Sequence, residues 1–228
     1  LLGVPFSEEW GGTGLDCLSY IITVEELSRV CGTTGITVAA HTSLGTNPIY
    51  EFGTDDQKER YLRKLASGEM LGSFALTEPG AGSDAGASTV SAVRDGDEWV
   101  LNGVKVYCTN GTHAGTVVLT ARTNPDIKGA GGVSAFIVER DSPGMQLGTL
   151  EDKLGLRASD TRRSRPAHQR ESQELRQPRH LGRQARSRAR PVAHHLFEPL
   201  VHRPVPAVLR DSLQRPGRRT HPFGQCPE

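Results

Sequence analysis

The run Phe74-Ala75-Leu76-Thr77-Glu78-Pro79-Gly80-Ala81-Gly82-Ser83-Asp84 carries the densest concentration of usable chemistry in this 228-residue chain. With no side chains at Gly80 and Gly82, the backbone there can approach a ligand closely and aim N–H groups at an anion. Thr77 and Ser83 add hydroxyls that donate or accept. Residues 80–85 also match G-x-G-x-x-A, the dinucleotide fingerprint, but such a loop must open into a helix whose amino terminus faces the pyrophosphate. Here Gly86-Ala87 leads instead into an alternating run, Thr89–Val93, and Pro79 stands directly before the first glycine. The Rossmann reading is therefore set aside. On chemistry alone, a phosphate-binding loop and a plain connection between a helical domain and a sheet remain open.

The other reactive residues point to less. Cys17, Cys31, Cys108 and Cys226 are scattered without a CxxC pair, which fits reduced thiols and neither a zinc site nor a disulfide framework. His194, His195 and His202 form only a loose cluster, and no metal site is expected from them. The run Arg183-Gln184-Ala185-Arg186-Ser187-Arg188-Ala189-Arg190 resembles the electrostatic footprint of a nucleic-acid arm. The segment over 162–228 has no lysine, almost no aromatics for stacking and many prolines, so no nucleic-acid partner is expected. No apolar stretch approaches the roughly 18–20 residues a membrane span needs. No basic segment followed by an apolar one suggests export, and a cytoplasmic location is expected. The chain opens Leu-Leu-Gly-Val-Pro without an initiator Met, which reads as a sequence whose true start lies upstream.

The elements that must hold the glycine-rich run fall into two kinds. Up to about residue 70 the period is helical. Thr13 with Asp16 reads as a capping pair for a helix over 15–30, with Leu18, Ile21, Ile22, Leu27 and Val30 on its apolar face. A second, small-residue-rich helix is expected over about 34–44. The third has Thr54 as N-cap, acidic Asp55 and Asp56 in its first turn, Gln57 at N3 and Gly68 as its stop, with Tyr61, Leu62 and Leu65 facing inward. After Met70 the period drops to two. Asp95-Gly96 and Asn102-Gly103 separate alternating runs and predict type I′ hairpin turns. Runs over 116–122 and 133–139 extend an antiparallel β domain of at least five strands.

Composition then changes abruptly. Residues 1–161 hold 12 Lys and Arg against 21 Asp and Glu, whereas residues 162–228 hold 15 Arg, no Lys and 5 acidic residues. The second part also has 9 of the 14 prolines and too few apolar residues to bury a core. We expect three parts: a helical domain over 1–70, a β domain over 71–161, and a disordered Arg- and Pro-rich segment over 162–228.

The run beginning at Phe74 resembles the first signature of the acyl-CoA dehydrogenases, particularly the short-chain, butyryl-CoA type. Pro5–Gly12, Val24–Arg29 and Phe52–Lys58 resemble that family's helical domain. Leu101-Asn102-Gly103-Val104-Lys105-Val106-Tyr107-Cys108-Thr109-Asn110 resembles its second flavin-facing strand. Lys153-Leu154-Gly155-Leu156-Arg157-Ala158-Ser159-Asp160-Thr161 resembles the end of its middle domain. The similarity is continuous over 1–161, in the family's order and spacing.

The resemblance implies an α+β fold: an amino-terminal helical domain followed by an antiparallel β-barrel middle domain, with the family's carboxyl-terminal helical bundle absent. It implies FAD as cofactor, held by Phe74, Leu76, Thr77, Gly82, Ser83, Tyr107 and Thr109. Ser83 would contact either the cofactor's pyrophosphate region or the CoA chain of the substrate. Tyr107-Cys108-Thr109 stands where the family usually has Trp-Ile-Thr. Glu78 would serve the loop rather than act as the catalyst. The implied reaction is α,β-dehydrogenation of short- or branched-chain acyl-CoA thioesters, in homotetramers that pass electrons to an electron-transfer flavoprotein. The family's base is a Glu in a Tyr-Glu-Gly-type motif, which does not occur here, so no catalytic residue is assigned and turnover is not expected. A frameshift in a GC-rich, bacterial gene would explain the sequence from about 162. The alternative is a non-catalytic fragment that keeps flavin or partner binding.

Overall fold

The computed structural model describes residues 1–166, 169–171 and 175, and expectations for the remaining positions lie outside these. Four α-helices come first: α1 Cys17–Val30, α2 Gly32–Ala39, α3 Asn47–Phe52 and α4 Asp55–Ser67. A π-helical segment, Ala40–Thr46, joins α2 to α3, so the helix expected over 34–44 is part of a longer continuous run. The α4 boundaries match the sequence reading at both ends. Thr54 and Gln57 form a reciprocal capping box, and Gly68 closes the helix at φ 84°, where only glycine avoids a Cβ penalty. At α1 the cap is Asp16 alone, whose carboxylate accepts from the Ser19 amide at 2.8 Å; the Thr13 hydroxyl donates instead to the Val4 carbonyl.

Nine strands follow among the described residues: β1 Leu71–Ala75, β2 Ser91–Asp95, β3 Glu98–Asn102, β4 Lys105–Thr109, β5 Ala114–Arg122, β6 Val133–Glu139, β7 Met145–Leu150, β8 Thr161–Pro166 and β9 Gln169–Glu171. Among the described residues these make two open sheets and no closed barrel. One sheet runs β1-β5-β2-β3-β9 with β6 on β5, and the other runs β4-β8-β7. Pairing is also not wholly antiparallel, since β1 and β2 both meet β5 in parallel. The reason is topological. The chain leaves β1, builds β2 to β4, and returns to β5 in the original direction, a crossover that period-2 patterning does not reveal.

Both glycine turns differ from the hairpins expected. Asp95 pairs with Glu98, so the central turn residues are Gly96 and Asp97. Only Gly96 has positive φ, the type II′ pattern. Asn102-Gly103 is not a hairpin at all, because β3 and β4 belong to different sheets. Gly103 turns that corner at φ 150°, and a Cβ there would lie 2.6 Å from Val90 Cγ2.

Two apolar clusters hold the domains. Inside the sheets, Ala75, Val90, Leu101, Val117, Leu119, Phe136 and Val138 pack together. On the helix side, Ile49, Tyr61, Leu62 and Leu65 meet Val118, Ala135 and Ile137, which ties α3 and α4 to β5 and β6. His41 adds a polar tie. Its ring is fully buried, with Nε2 3.1 Å from the Leu65 carbonyl and Nδ1 accepting from the Gly72 amide at 2.9 Å. That arrangement requires the neutral ring with its proton on Nε2.

The compositional boundary at 161 falls at the start of β8, not at the end of structure. Strand β8 lies between β4 and β7, and its Arg163 and Arg165 are exposed while Ser164 and Pro166 are buried. Because the inward positions carry Ser and Pro, hydrophobicity gives no period here, although the backbone pairs on both sides, with a register shift in each ladder. Leu175 is buried in the helix-side cluster and its amide donates to the Ala135 carbonyl.

Candidate functional site

The glycine-rich segment leaves the end of β1 and forms a loop that reaches β2. A mutual backbone pair between Glu78 and Ala81 makes a tight turn around Pro79 and Gly80. Pro79, Gly80, Gly82, Ser83 and Asp84 are exposed. A Cβ built at Gly80 or Gly82 would meet nothing within 4 Å, so both glycines face open space. This is room that a ligand approaching the backbone would use.

The second predicted segment, Tyr107 to Thr109, lies beside the first. The Val106 amide donates to the Thr77 carbonyl at 2.8 Å, and the Ser73 hydroxyl donates to the Thr109 carbonyl at 2.6 Å. Asn110 completes the seam, its side-chain amide donating to the Gly72 and Thr37 carbonyls at 3.3 Å each. Segments some thirty residues apart in sequence are thus laid side by side.

Tyr107 holds an unusual conformation. Lys105 pairs with Ser164 and Cys108 with Arg162, so β4 spends one residue more than β8 over this interval. The bulge leaves Tyr107 at φ 59°, a left-handed conformation uncommon for a bulky residue, and the residue is 62% exposed. A strained, exposed aromatic beside open backbone is a pattern found at ligand sites. The hydroxyls of Thr77, Ser83 and Thr109 have no hydrogen-bond partner among the described residues. They are free to serve a ligand.

Two expected contacts read differently in three dimensions. Phe74 packs against the helix-side cluster of Ile49, Tyr61 and Leu65, so part of its ring serves the join between domains. Leu76 is half-buried, and its carbonyl accepts from Lys105 Nζ at 2.9 Å.

Beneath the loop lies a charged pair that the sequence did not single out. Lys105 Nζ sits 2.7 Å from Glu78 Oε1, and the two side chains are 0% and 3% exposed. Glu78 also accepts from the Ser88 hydroxyl, from the Thr89 amide and hydroxyl, and from the Val90 amide. Burial pushes the Glu78 carboxyl up, but hydrogen bonds from Lys105, Ser88 and Thr89 outweigh it and hold the group near 2. Burial pushes Lys105 down, opposed by Glu78. Lys105 was missed because it alternates with Val104 and Val106, a pattern that ordinarily sends a lysine to solvent. The one available signal was a carboxylate in a Gly-Pro loop, which needs a partner if buried.

Residues 1–69 match the model of the acyl-CoA dehydrogenase N-terminal domain, and residues 73–165 match that of the acyl-CoA dehydrogenase middle domain. The short-chain specific acyl-CoA dehydrogenase of Clostridium acetobutylicum is 53% identical over 161 residues, covering 71% of this chain and 42% of that protein. The mitochondrial short-chain specific enzyme of Bos taurus is 47% identical over the same length, covering 71% of this chain and 39% of its own. Among solved structures, butyryl-CoA dehydrogenase from Megasphaera elsdenii superposes with a TM-score of 0.73 at 40% identity, over 76% of this chain and 47% of that one. An acyl-CoA dehydrogenase from Bacillus anthracis, solved in complex with FAD, gives 0.70 at 38% identity, over 76% and 30%. This chain therefore spans about two fifths of the length of the relatives it matches. The chain belongs to the acyl-CoA dehydrogenase family and carries that family's amino-terminal and middle domains.

Proposed function

We propose that residues 74–84 and 107–109 form the flavin-facing surface of an acyl-CoA dehydrogenase site. The seam between these segments carries the reading: Thr77 and Val106 are joined by a backbone hydrogen bond, and the open loop at Gly80 and Gly82 extends from it. In this reading Thr77 and Thr109 present hydroxyls to the edge of the ring system, and Tyr107 offers it an aromatic face. Gly82 and Ser83 present backbone N–H and hydroxyl donors to a phosphate, whether of the cofactor or of the CoA moiety. FAD, when bound, supplies an acceptor for the hydride that leaves the acyl β-carbon.

Taking the α-proton is a separate task, and Glu78 is unsuited to it. The carboxylate is buried and both of its oxygens already accept hydrogen bonds, so it has neither access nor basicity to offer. We propose accordingly that the chain binds FAD weakly and does not turn over acyl-CoA. Its acyl group, by likeness to the short-chain relatives, is short. The full chain titrated with FAD should quench flavin fluorescence with a Kd in the micromolar range or weaker. Anaerobic addition of butyryl-CoA should leave the flavin absorbance unbleached. Bleaching would show that a competent base is present, and absence of any quenching at high FAD would remove the flavin reading.

A further inference from the structure

We propose that Lys105 is a positioning residue for the flavin-facing segment, acting through Glu78 and the Leu76 carbonyl, with Arg122 closing the far end of the same loop. The proposal rests on the flavin reading for what the loop is for, and on the geometry alone for how the loop is held.

Glu78 and Ser88–Val90 bracket the loop. The Glu78 carboxylate accepts from three consecutive residues on the far side: the Ser88 hydroxyl, the Thr89 amide at 2.6 Å and hydroxyl at 2.8 Å, and the Val90 amide at 3.1 Å. One side chain therefore fixes the distance between the two ends of the exposed turn. Lys105 holds that side chain in place. Besides Glu78 Oε1, its ammonium donates to the Leu76 carbonyl at 2.9 Å and the Thr120 hydroxyl at 3.2 Å, which anchors it to β5. Thr77 consequently lies between two fixed carbonyls: Leu76 O on Lys105 Nζ, and its own on the Val106 amide. The backbone that carries its free hydroxyl is thereby held on both sides.

Arg122 does the equivalent work at the exit. It donates from Nη2 to the Gly86 carbonyl at 2.6 Å, from Nε to the Ser88 carbonyl at 2.9 Å and from Nη1 to the Ile127 carbonyl at 2.9 Å. Gly86 meanwhile packs so closely on Gly129 that a Cβ would lie 3.0 Å from its Cα. The loop between these clamps is left exposed but not slack.

A buried ion pair is a poor choice if stability were its purpose. Replacing both partners by apolar residues of similar size is commonly neutral or stabilising, whereas removing one leaves an uncompensated buried charge. What the pair supplies here is many directed hydrogen bonds from one buried centre, which an apolar pair cannot reproduce. That distinction makes the proposal testable. The double substitution Glu78→Leu with Lys105→Met removes the hydrogen-bond hub and keeps the volume.

The experiment is amide hydrogen exchange on the full chain, comparing Ala81, Thr89, Val90 and Val106 with Leu119 and Phe136, which pair across β5 and β6. In the double variant the first group should exchange at least tenfold faster while the control pair is unchanged. Retained protection of the loop amides in a folded double variant would overturn the proposal. If that variant does not fold, Ser88→Ala with Thr89→Val removes two donors and leaves the pair intact. Exchange at Val90, whose amide also donates to Glu78, should then rise at least threefold, and an unchanged rate would equally overturn it. Where the parent chain binds FAD, the folded double variant should bind at least tenfold more weakly; equal affinity also counts against Lys105. If the parent chain does not bind FAD, the flavin reading fails and the exchange rates alone decide whether Lys105 positions the loop.

Discussion

Lowering the pH from 6.5 to 4.5 should destabilise this chain chiefly through His41. Its ring is fully buried, and burial, only partly offset by the Leu65 carbonyl, lowers its pKa from 6.5 to about 4. Above pH 6.5 the ring is neutral whether the chain is folded or not, so its contribution is fully present. Between 6.5 and 4 the unfolded chain takes up a proton that the folded chain refuses, and stability falls with pH. Across the whole window the loss is about 3 kcal/mol, and between pH 6.5 and 4.5 about 2 kcal/mol. The structural reason is specific. Protonation would place a hydrogen on Nδ1, which now accepts from the Gly72 amide, and would set two donors facing each other where the helices meet β1. Urea unfolding at pH 7.5, 6.5, 5.5 and 4.5 measures this, and 2 kcal/mol moves the midpoint by about 1 M. Carboxylates also begin to titrate at the acid end, so His41→Asn is the control. That variant should be less stable at pH 7.5 but should lose the slope between 6.5 and 4.5 that belongs to the histidine. Equal slopes in parent and variant would refute the reasoning.

Three further outcomes follow from the strands and the loop. Ser164, fully buried in β8, has no hydrogen-bond partner for its hydroxyl better than the Cys108 thiol beside it. Ser164→Val should raise stability by about 1 kcal/mol in urea melts by removing that desolvated group, and a loss would show the hydroxyl is satisfied. Tyr107→Gly should be close to neutral, because relief of the left-handed backbone, worth roughly 1–2 kcal/mol, is offset by glycine's greater unfolded freedom. Tyr107→Val should cost about 1 kcal/mol instead, since a β-branched side chain tolerates φ 59° poorly; both should weaken flavin quenching if Tyr107 stacks on the ring. Gly82→Val should leave the unfolding midpoint within about 0.5 kcal/mol, there being nothing near its Cβ, while reducing FAD binding. Unchanged binding would mean that no ligand approaches the backbone at that point.

What the sequence disclosed and what it withheld follow a physical line. The ends of α4 were legible because capping is local: Thr54, Gln57 and Gly68 satisfy helix-terminal groups within a few residues of themselves. Strands β5 and β6 were legible because both bury nearly every position, leaving runs of Val, Ile, Ala and Leu. Sheet membership was not, because it depends on which edge a strand meets after a long excursion. Asn102-Gly103 carries a hairpin signature and serves as a corner between sheets, the same local backbone need met in a different global setting. At the site, the motif residues were legible by likeness, and the seam that joins them rests on backbone carbonyls taken up by one backbone amide and by the side chains of Ser73 and Asn110, pairings that no local pattern records.

Two places where pattern and burial part company are mirror images. Lys105 sits in an alternating run yet is fully buried, whereas Leu18, Ile21 and Ile22 recur at helical spacing as if buried and are 53%, 38% and 50% exposed on α1. Periodicity measures which side chains share a face. It does not say what covers that face. In α4 the same kind of stripe is covered, with Leu62 and Leu65 at 0% exposure against β5 and β6. The difference in burial between α1 and α4 lies in their neighbours, and the same holds for a charge. Whether Lys105 faces water is decided by a carboxylate 27 residues earlier in the chain. Loop and strand had to fold together before that lysine had a buried place to occupy.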